Sequence, residues 1–388
     1  MGVFLGMLVR MGAGVGIFLY GLHLISSYLE DLAGPTVEKS LRRFTANPWT
    51  GALTGTVITA LVQSSTVVTV MTVNLVDKGM MSLEQAVGVI LGANVGTAGT
   101  GVMAALPIRS MAPLFLTGGA MLVLTSGAMG KFQGRVVGAQ AYVRGHEGGN
   151  CYVCRAVGIR AHESDIHTRQ TYMKRKPTED VWTYRRNALP SQAKLAGALA
   201  MGLGMLLLGM ELMQEAMTPY GSSTVLVRLM TGLGHPLSGV LGGAVFTALI
   251  QSSSASVAIL QSMAAEGIVG LSQSAYIVYG QNIGTCLTAL WASIHLSPAA
   301  RSCARLHLLI NLLGTGVFLA ADRIIPLTAW VASWTPDNPA MQIANLHLFF
   351  NLASTILLLP FSGVLVRIAE GVTFHTLARK QLQVDNRS

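Results

Sequence analysis

Two short polar stretches decide the fold, TALVQSST at 59–66 and TALIQSSSAS at 247–256. Each lies inside an otherwise apolar segment, at about 51–76 and 236–264. A helix that faces lipid all round does not carry such a cluster, because polar or irregular backbone at membrane depth is tolerated only inside protein or against a watery cavity. The pattern therefore predicts that both segments are re-entrant hairpins or broken helices.

The two stretches belong to a longer internal repeat. Gln63 and Gln251 lie 188 positions apart, and the same shift aligns the chain with itself without gaps from about residue 14 to 100. Shared apolar bias would not keep polar residues in register. Duplicated halves with interrupted helices at corresponding positions are typical of secondary transporters, whose substrate site lies where the repeats meet. The matched polar pairs include Ser64 and Ser252, Ser65 and Ser253, Asn94 and Asn282, Thr97 and Thr285, and Thr100 and Thr288.

The composition indicates a multi-pass membrane protein. Of 388 residues, 51% are hydrophobic and only 11% are charged, against roughly 25% charged residues in soluble domains. This excludes a soluble enzyme, a disordered chain and a fibrous protein. The net charge of +9 comes from basic residues in loops between apolar runs, so it indicates the positive-inside bias of a cell membrane protein and no nucleic-acid partner. Cys286 and Cys303 lie in apolar segments and predict no disulfide framework.

The chain divides into three predicted regions. Residues 1–130 form a first membrane repeat, and 193–388 form a second repeat with extra C-terminal helices and a short basic tail. Between them, 131–192 is a polar insert with eleven Lys and Arg against five Asp and Glu, which is typical of a solvated linker. A zinc site in the insert is a weaker alternative, because its middle spacer of seven residues is short. Its ligands would be Cys151, Cys154, His162 and His167.

The Gln–Ser runs carry the chemistry of an ion site. A serine hydroxyl donates or accepts a hydrogen bond, and a glutamine amide offers both kinds of group. A helix break also frees backbone N–H and C=O groups. Carbonyl and hydroxyl oxygens suit Na⁺, and N–H groups at a half-helix N-terminus suit an oxyanion. Two facing breaks would therefore bind a cation and an anion together without a charged side chain.

A second motif occurs twice, GANVGT at 92–97 and GQNIGT at 280–285, about 30 residues after each Gln–Ser run. Two glycines that bracket an Asn favour a break in the helix, because glycine tolerates left-handed torsions and close approach. The Asn and Thr would then add a carbonyl oxygen and a hydroxyl to the same sites. A packing notch without any ligand is the alternative interpretation.

Ionisable residues inside apolar segments are further candidates. His23 and Glu211 occupy equivalent positions of the repeat, where a transport role and a polar contact between the halves are both open. Two His–Asn pairs at i and i+4 are predicted to make helix–helix hydrogen bonds rather than to bind ligands. They are His307 with Asn311 and His347 with Asn351.

Over roughly 12–129 and 193–368, these paired motifs resemble the type II sodium–phosphate cotransporter family. The resemblance implies an all-α polytopic membrane fold with two inverted repeats, whose re-entrant hairpins meet near the membrane centre. It implies sodium-coupled symport of inorganic phosphate across the cell membrane, with Na⁺ as the coupling ion and no other cofactor. Thr66 stands where the family has a serine, so a hydroxyl is kept. The binding residues that the resemblance implies are Gln63, Ser64, Ser65, Thr66, Gln251, Ser252, Ser253 and Ser254, supported by Asn94, Thr97, Asn282 and Thr285, with Thr100, Thr288, His23 and Glu211 as further candidates.

Other functions stay open on the residues alone. Hydroxyls, amides and helix ends would also accept sulfate or a carboxylate, and a phosphate-binding membrane sensor would keep the same fold. An enzyme is disfavoured, because a serine nucleophile needs a base and none lies in register with the Gln–Ser runs. Burying an anion is costly unless it is paired, so coupling to Na⁺ predicts cooperative binding of the two ions. A homo-oligomer is compatible with the sequence.

Overall fold

The structure is a computed structural model that describes residues 2–43, 45–125, 192–220, 228, 230 and 232–371. Every regular element within these residues is helical, which confirms the all-α fold. The helices are α1 (Gly2–Arg43), α2 (Pro48–Val62), α3 (Ser65–Asp77), α4 (Leu83–Ala105), α5 (Ala112–Thr125), α6 (Gln192–Met217), α7 (Pro236–Ile250), α8 (Ser253–Ala265), α9 (Leu271–Ala292), α10 (Pro298–Ala321), α11 (Leu327–Ala332) and α12 (Pro339–Leu358), with short 3-10 turns at Arg109–Met111, Thr218–Tyr220 and Leu359–Phe361. After the last 3-10 turn, residues 362–371 are again helical.

The chain folds into two compact units, one of residues 1–116 with 201–388 and the other of residues 117–200. The first unit holds both copies of the repeat and all the candidate site residues that the structure describes. In the second unit, the described residues are the end of α5 and the start of α6. They touch where an added Cβ on Gly197 would meet the carbonyl oxygen of Gly119 at 2.8 Å.

Several helices are long and apolar enough to cross a membrane, as a polytopic protein requires. By contrast, α2 and α7 have 15 residues each, or about 22 Å at 1.5 Å per residue, against a hydrocarbon core of about 30 Å. That shortness suits re-entrant segments, although their depth and the inverted orientation of the repeats stay predictions. Among the described residues, the five long helices are Gly6–Leu29, Leu83–Ala105, Gln192–Met217, Pro298–Ala321 and Pro339–Gly371.

The internal repeat is visible in the backbone. The three helices α2, α3 and α4 begin 188 residues before α7, α8 and α9, respectively. The turns after α3 and α8 both use a glycine in the left-handed region, Gly79 at φ 65° and Gly267 at φ 69°, where other residues are disfavoured. The duplicated sequence therefore produces a duplicated local fold.

Glycines fix how closely the repeat helices pack. An added Cβ on Gly92 of α4 would lie 1.9 Å from the carbonyl oxygen of Ala52 on α2. In the second copy, a Cβ on Gly280 of α9 would lie 2.0 Å from the carbonyl oxygen of Val240 on α7. Only glycine permits this backbone-to-backbone contact, because any side chain would push the paired helices apart.

The prediction of a helix break at the two GxNxGT motifs is wrong. Both motifs lie inside the continuous helices α4 and α9. Their glycines serve the close packing just described, which is the packing-notch interpretation. Glycine in a helix interior costs about 1 kcal/mol relative to alanine, and here the tight contact with α2 or α7 offsets that cost.

The outer faces of α2 and α7 are apolar and exposed. On each helix, every fourth residue is a large hydrophobic side chain with about half or more of its surface exposed. A protein in water would rarely expose such a continuous stripe, so this pattern agrees with contact to lipid. The two stripes occupy equivalent positions of the repeat: Trp49, Leu53, Val57 and Leu61 on α2, and Leu237, Leu241, Val245 and Leu249 on α7.

Candidate functional site

The first Gln–Ser run is the junction between two helices. Gln63 ends α2 in the left-handed conformation, with φ 56°, and its backbone N–H donates to the Thr59 carbonyl at 2.7 Å. Ser64 is extended and caps α3, its hydroxyl accepting from the N–H of Val67 at 3.3 Å. The polar run therefore supplies a C-cap followed by an N-cap, which confirms the predicted helix break.

The second run repeats this geometry. Gln251 ends α7 at φ 56°, and its N–H donates to the Thr247 carbonyl at 2.8 Å. The hydroxyl of Ser252 caps α8 by accepting from the N–H of Ala255 at 3.2 Å. A left-handed non-glycine residue is uncommon. Among the described non-glycine residues, Gln63 and Gln251 are the two with positive φ.

The amide of Gln63 is held in place. The Thr100 hydroxyl on α4 donates to its Oε1 at 2.7 Å, and its Nε2 donates to the Ala60 carbonyl. Thr100, a lower-ranked candidate of the sequence, lies one turn after the GANVGT motif and thus links α4 to the first Gln–Ser junction. The side chain of Gln251 is exposed, and the described residues supply no hydrogen-bond partner for it.

One narrow crevice brings residues of both repeats together. Ser65 and Thr66, from the start of α3, line it with Thr285 and Thr288 of α9. The remaining lining residues are Thr69 of α3, Ala289 of α9 and His307 of α10. Apart from the imidazole, its polar lining consists of hydroxyl groups. Four of the candidate residues meet there, and among the described residues no carboxylate or basic side chain other than the imidazole lines it. Its accessible volume is about 0 Å³, so the crevice has to open before it can admit an ion.

A groove of about 620 Å³ runs along α3 and shares Thr66 with the crevice. Its far end is marked by Lys78, just beyond the C-terminus of α3. A helix of 13 residues is about 20 Å long, so the groove extends from the candidate site toward a positively charged end. It is lined by Thr66, Val67, Val70, Met71, Asn74, Leu75 and Lys78.

The two Asn residues of the GxNxGT motifs are linked through Asn311. Asn94 Nδ2 donates to Asn311 Oδ1 at 2.8 Å, and Asn311 Nδ2 donates to the Asn282 carbonyl at 3.1 Å. The prediction of a helix–helix hydrogen bond is confirmed for Asn311. The hydroxyls of Thr97 and Thr285 instead donate to carbonyls four residues earlier in their own helices, a common arrangement for Thr within a helix.

His307 does not make the predicted helix–helix hydrogen bond. Within the described part of the chain, neither of its ring nitrogens has a partner, although the side chain is only 2% exposed. The other predicted pair bonds within one helix, where Asn351 Nδ2 donates to the His347 carbonyl at 2.9 Å.

The sequence interpretation missed a buried polar network in the second repeat. Thr247 Oγ1 and Gln281 Nε2 both donate to Ser256 Oγ at 2.8 Å. The equivalent positions of the first repeat carry Val68 and Ala93 in place of Ser256 and Gln281. This mismatch between otherwise matched copies was the signal that would have identified the network.

The remaining candidates lie elsewhere. His23 is exposed, and its ring contacts Ser27 and Tyr20 of its own helix. Glu211 is half-buried on α6. Ser253 and Ser254 are half-buried in the first turn of α8. The zinc candidates Cys151, Cys154, His162 and His167 lie outside the described residues.

Metal and disulfide chemistry have no support in the described part of the chain. There, no group of three or more His, Cys, Asp or Glu side chains is placed to hold a metal ion. Cys286 and Cys303 are buried free thiols.

Comparison with known proteins identifies the family of the chain. The family described as Na+/Pi-cotransporter matches residues 17–140 and 205–370, which include both Gln–Ser junctions and both GxNxGT helices. The chain belongs to that family. Membership places the chain in a family of membrane transporters and confirms the resemblance seen in the motifs.

Several relatives are similar to the chain. The protein YqeW of Bacillus subtilis is 27% identical over 368 residues, which are 93% of this chain and 96% of YqeW. YjbB of Escherichia coli, named provisionally as an inorganic phosphate export protein, is 23% identical over 97% of this chain, which spans 57% of YjbB. The sodium-dependent phosphate transport protein 2A of Oryctolagus cuniculus is 34% identical over 93 residues, 23% of this chain and 14% of that protein. No solved structure matches the chain at a significant level.

Proposed function

We propose that the protein is a secondary active transporter that couples the movement of inorganic phosphate to that of Na⁺. The crevice carries this proposal, because it gathers hydroxyl groups from α3 of one repeat and α9 of the other. A site shared between two repeats can open to either side of a membrane as the repeats move against each other. Family membership and the name of the rabbit relative support phosphate and sodium as the substrates.

The chemistry of the site supports a cation and an anion together. Hydroxyl and carbonyl oxygens coordinate Na⁺, while hydroxyl and amide hydrogens bind phosphate oxygens. The polar lining of the crevice offers hydroxyls and one imidazole, so neither ion meets a fixed charge there. An unpaired charge in a low dielectric is costly. Each ion therefore lowers the cost of burying the other, and coupling follows from the shared site.

The binding residues that we propose are the two Gln–Ser junctions with the threonines beside them. Gln63 is oriented by Thr100, and Ser65 and Thr66 reach the crevice from the same junction. In this proposal Asn94, Asn282 and Thr97 support the site through helix packing, because their hydrogen bonds are used within and between α4, α9 and α10.

Uptake into proteoliposomes tests the proposal. With purified protein, an inward Na⁺ gradient should drive accumulation of radiolabelled phosphate, and an equal K⁺ gradient should not. Thr285→Val with Thr288→Val should abolish most of this flux, because both hydroxyls of α9 leave the crevice. Ser272→Ala, which removes an exposed hydroxyl from the first turn of the same helix, is the matched control and should keep it.

The same vesicles separate the alternatives. The provisional name of YjbB raises the question of export. A reversible coupled carrier should release internal phosphate when the Na⁺ gradient points outward, so the gradient decides the direction. Sulfate or dicarboxylates that compete better than phosphate would identify a carrier of another anion. Phosphate binding without flux under either gradient would contradict transport and favour a sensor.

A further inference from the structure

His307 presents an unsatisfied imidazole to the crevice. It lies on α10, one of the extra C-terminal helices of the second half of the chain, and lines the crevice beside hydroxyls of both repeats. The ring is 2% exposed, and neither Nδ1 nor Nε2 has a hydrogen-bond partner among the described residues. Buried polar groups are nearly always paired, because an unpaired one loses its bonds to water without compensation. The imidazole therefore lacks a partner that a ligand can supply once the crevice, whose accessible volume is about 0 Å³, opens to admit it.

Thr69 repeats the observation on the facing helix. Its side chain is also 2% exposed, and its hydroxyl has no partner within the described ranges. It lies one turn beyond Ser65 on α3 and lines the same crevice. Two unpaired polar groups from different helices thus meet in one place. Packing alone does not explain this, since an apolar residue at either position would avoid the loss.

The chemistry of the ring selects the kind of ligand. Na⁺ is a hard cation that prefers oxygen ligands, which the neighbouring hydroxyls already supply. The lining contains no carboxylate to stabilise an imidazolium, so the buried ring is neutral, with one donor nitrogen and one acceptor nitrogen. A ligand that both accepts and donates hydrogen bonds satisfies it. Phosphate near neutral pH does so, because its free oxygens accept and its P–OH group donates.

We propose that His307 contacts the phosphate in this crevice and selects phosphate over sulfate. The acceptor nitrogen of the ring accepts a hydrogen bond that a P–OH group donates. Sulfate carries no hydrogen at neutral pH, so it would leave that nitrogen unpaired. Sites that hydrogen-bond a substrate hydroxyl reject analogues without one far more strongly than apolar pockets reject a size difference. The inference rests on the proposed function for the identity of the anion.

A binding measurement tests this without requiring flux. Thermal unfolding of the purified protein in NaCl is followed at increasing inorganic phosphate or sulfate, since a ligand that binds the folded state raises Tm with its concentration. The phosphate concentration for half of the stabilisation should rise about 10- to 100-fold in His307→Leu, the range expected for one lost hydrogen bond to a charged group. Sulfate should stabilise wild type weakly, and the preference for phosphate over sulfate should shrink by a similar factor in the variant.

Two further variants separate binding from folding. His307→Gln keeps an amide donor and acceptor and should recover part of the phosphate response. His347→Leu removes the other buried histidine with an Asn at i+4, on α12, and should leave the phosphate response unchanged. The Tm without phosphate reports on folding in each case. If His307→Leu does not fold, equal stabilisation of wild type by sulfate and phosphate would still overturn the proposal.

The outcomes also distinguish this proposal from the transport proposal. Selective phosphate binding that depends on His307, in a protein that shows no flux, would contradict transport and uphold the role of His307. Sodium-driven phosphate flux with the same phosphate response in wild type and His307→Leu would uphold transport and overturn the role of His307.

Discussion

The two repeats share a backbone but differ in their polar interiors. Both Gln residues sit at φ 56°, both following Ser residues cap the next helix, and both GxNxGT helices are notched by glycine. In the first repeat, the Gln63 amide is held by Thr100. In the second, the described residues supply no hydrogen-bond partner for the Gln251 side chain, and the polar contacts lie deeper, around Ser256. The fold tolerates this difference because glycine packing and helix caps, rather than the polar interior, determine the backbone.

The largest expected effect tests what the repeats share. Gly92→Ala should prevent folding or destabilise the protein by about 3 kcal/mol or more, because the new Cβ would overlap the Ala52 carbonyl. Gly280→Ala should do the same in the second repeat. Gly99→Ala is the matched control on α4, since its Cβ would meet nothing within 4 Å. Thermal unfolding and monodispersity in detergent measure all three; a normal Tm for Gly92→Ala would contradict the packing account.

The next effect separates the two glutamines. Glycine accepts the left-handed conformation, so Gln63→Gly and Gln251→Gly remove the amide and keep the turn. Each should reduce the kcat/KM for phosphate uptake about 10- to 100-fold, because a hydrogen bond to a charged ligand contributes about 1.5–3 kcal/mol.

Their stabilities should differ. Gln251→Gly removes the strain of a non-glycine residue in the left-handed conformation, so the free energy of unfolding should rise by about 1–2 kcal/mol. Gln63→Gly should raise it less, because this change also leaves the Thr100 hydroxyl without its partner. Tm measurements on both variants decide this. Wild-type uptake in both variants would refute the assignment of the glutamines to the site.

A smaller effect tests the network that only the second repeat has. Ser256→Val introduces the residue that the first repeat has at the equivalent position. It leaves the buried donor groups of Thr247 and Gln281 without their acceptor. The substitution should lower the free energy of unfolding by about 1–3 kcal/mol. Adding Gln281→Ala, which also copies the first repeat, should recover part of the loss. A double-mutant cycle on chemical or thermal unfolding measures the coupling, and strict additivity would contradict the network.

The smallest effect concerns an anchor that only the first repeat has. Asp77 accepts from the N–H of Ser297 at 2.8 Å, and this backbone hydrogen bond, with one from the Ser297 side chain, lowers the pKa of the Asp77 carboxyl. The equivalent residue of the second repeat is Ala265. A carboxyl whose pKa is lowered in the folded state stabilises the fold at pH values above its unfolded pKa of about 3.9. This stabilisation is lost as the pH falls through the pKa of the folded state. Below about pH 4, the Tm of wild type should therefore fall more than that of Asp77→Asn.

Much of the local fold could be predicted from the sequence. The helix breaks at Gln63 and Gln251 follow from polar clusters in apolar segments, and the register of the repeat follows from matched polar residues. For the GxNxGT motifs the sequence leaves a helix break and a packing notch open, because a glycine that permits a break and a glycine that permits close packing look the same until the partner helix is known. That partner, α2 or α7, lies about 40 residues earlier in the chain.

The candidate site could be predicted only in part. Ser65, Thr66, Thr285 and Thr288 were recognised by their place in the repeat, and they do meet in the crevice. His307 and Thr69 were not assigned to it, because they belong to no repeated motif and only the packing of α10 against α3 brings them together. The inverted orientation of the repeats stays a prediction.

The central claim is that residues of both repeats hold phosphate and Na⁺ in one neutral site. Equilibrium binding of radiolabelled phosphate to purified protein, titrated at fixed ionic strength with NaCl replacing KCl, tests it most directly. The phosphate Kd should fall as Na⁺ replaces K⁺, and phosphate should tighten Na⁺ binding by the same factor, as linkage requires. A phosphate Kd that is identical in Na⁺ and K⁺ would contradict the shared site.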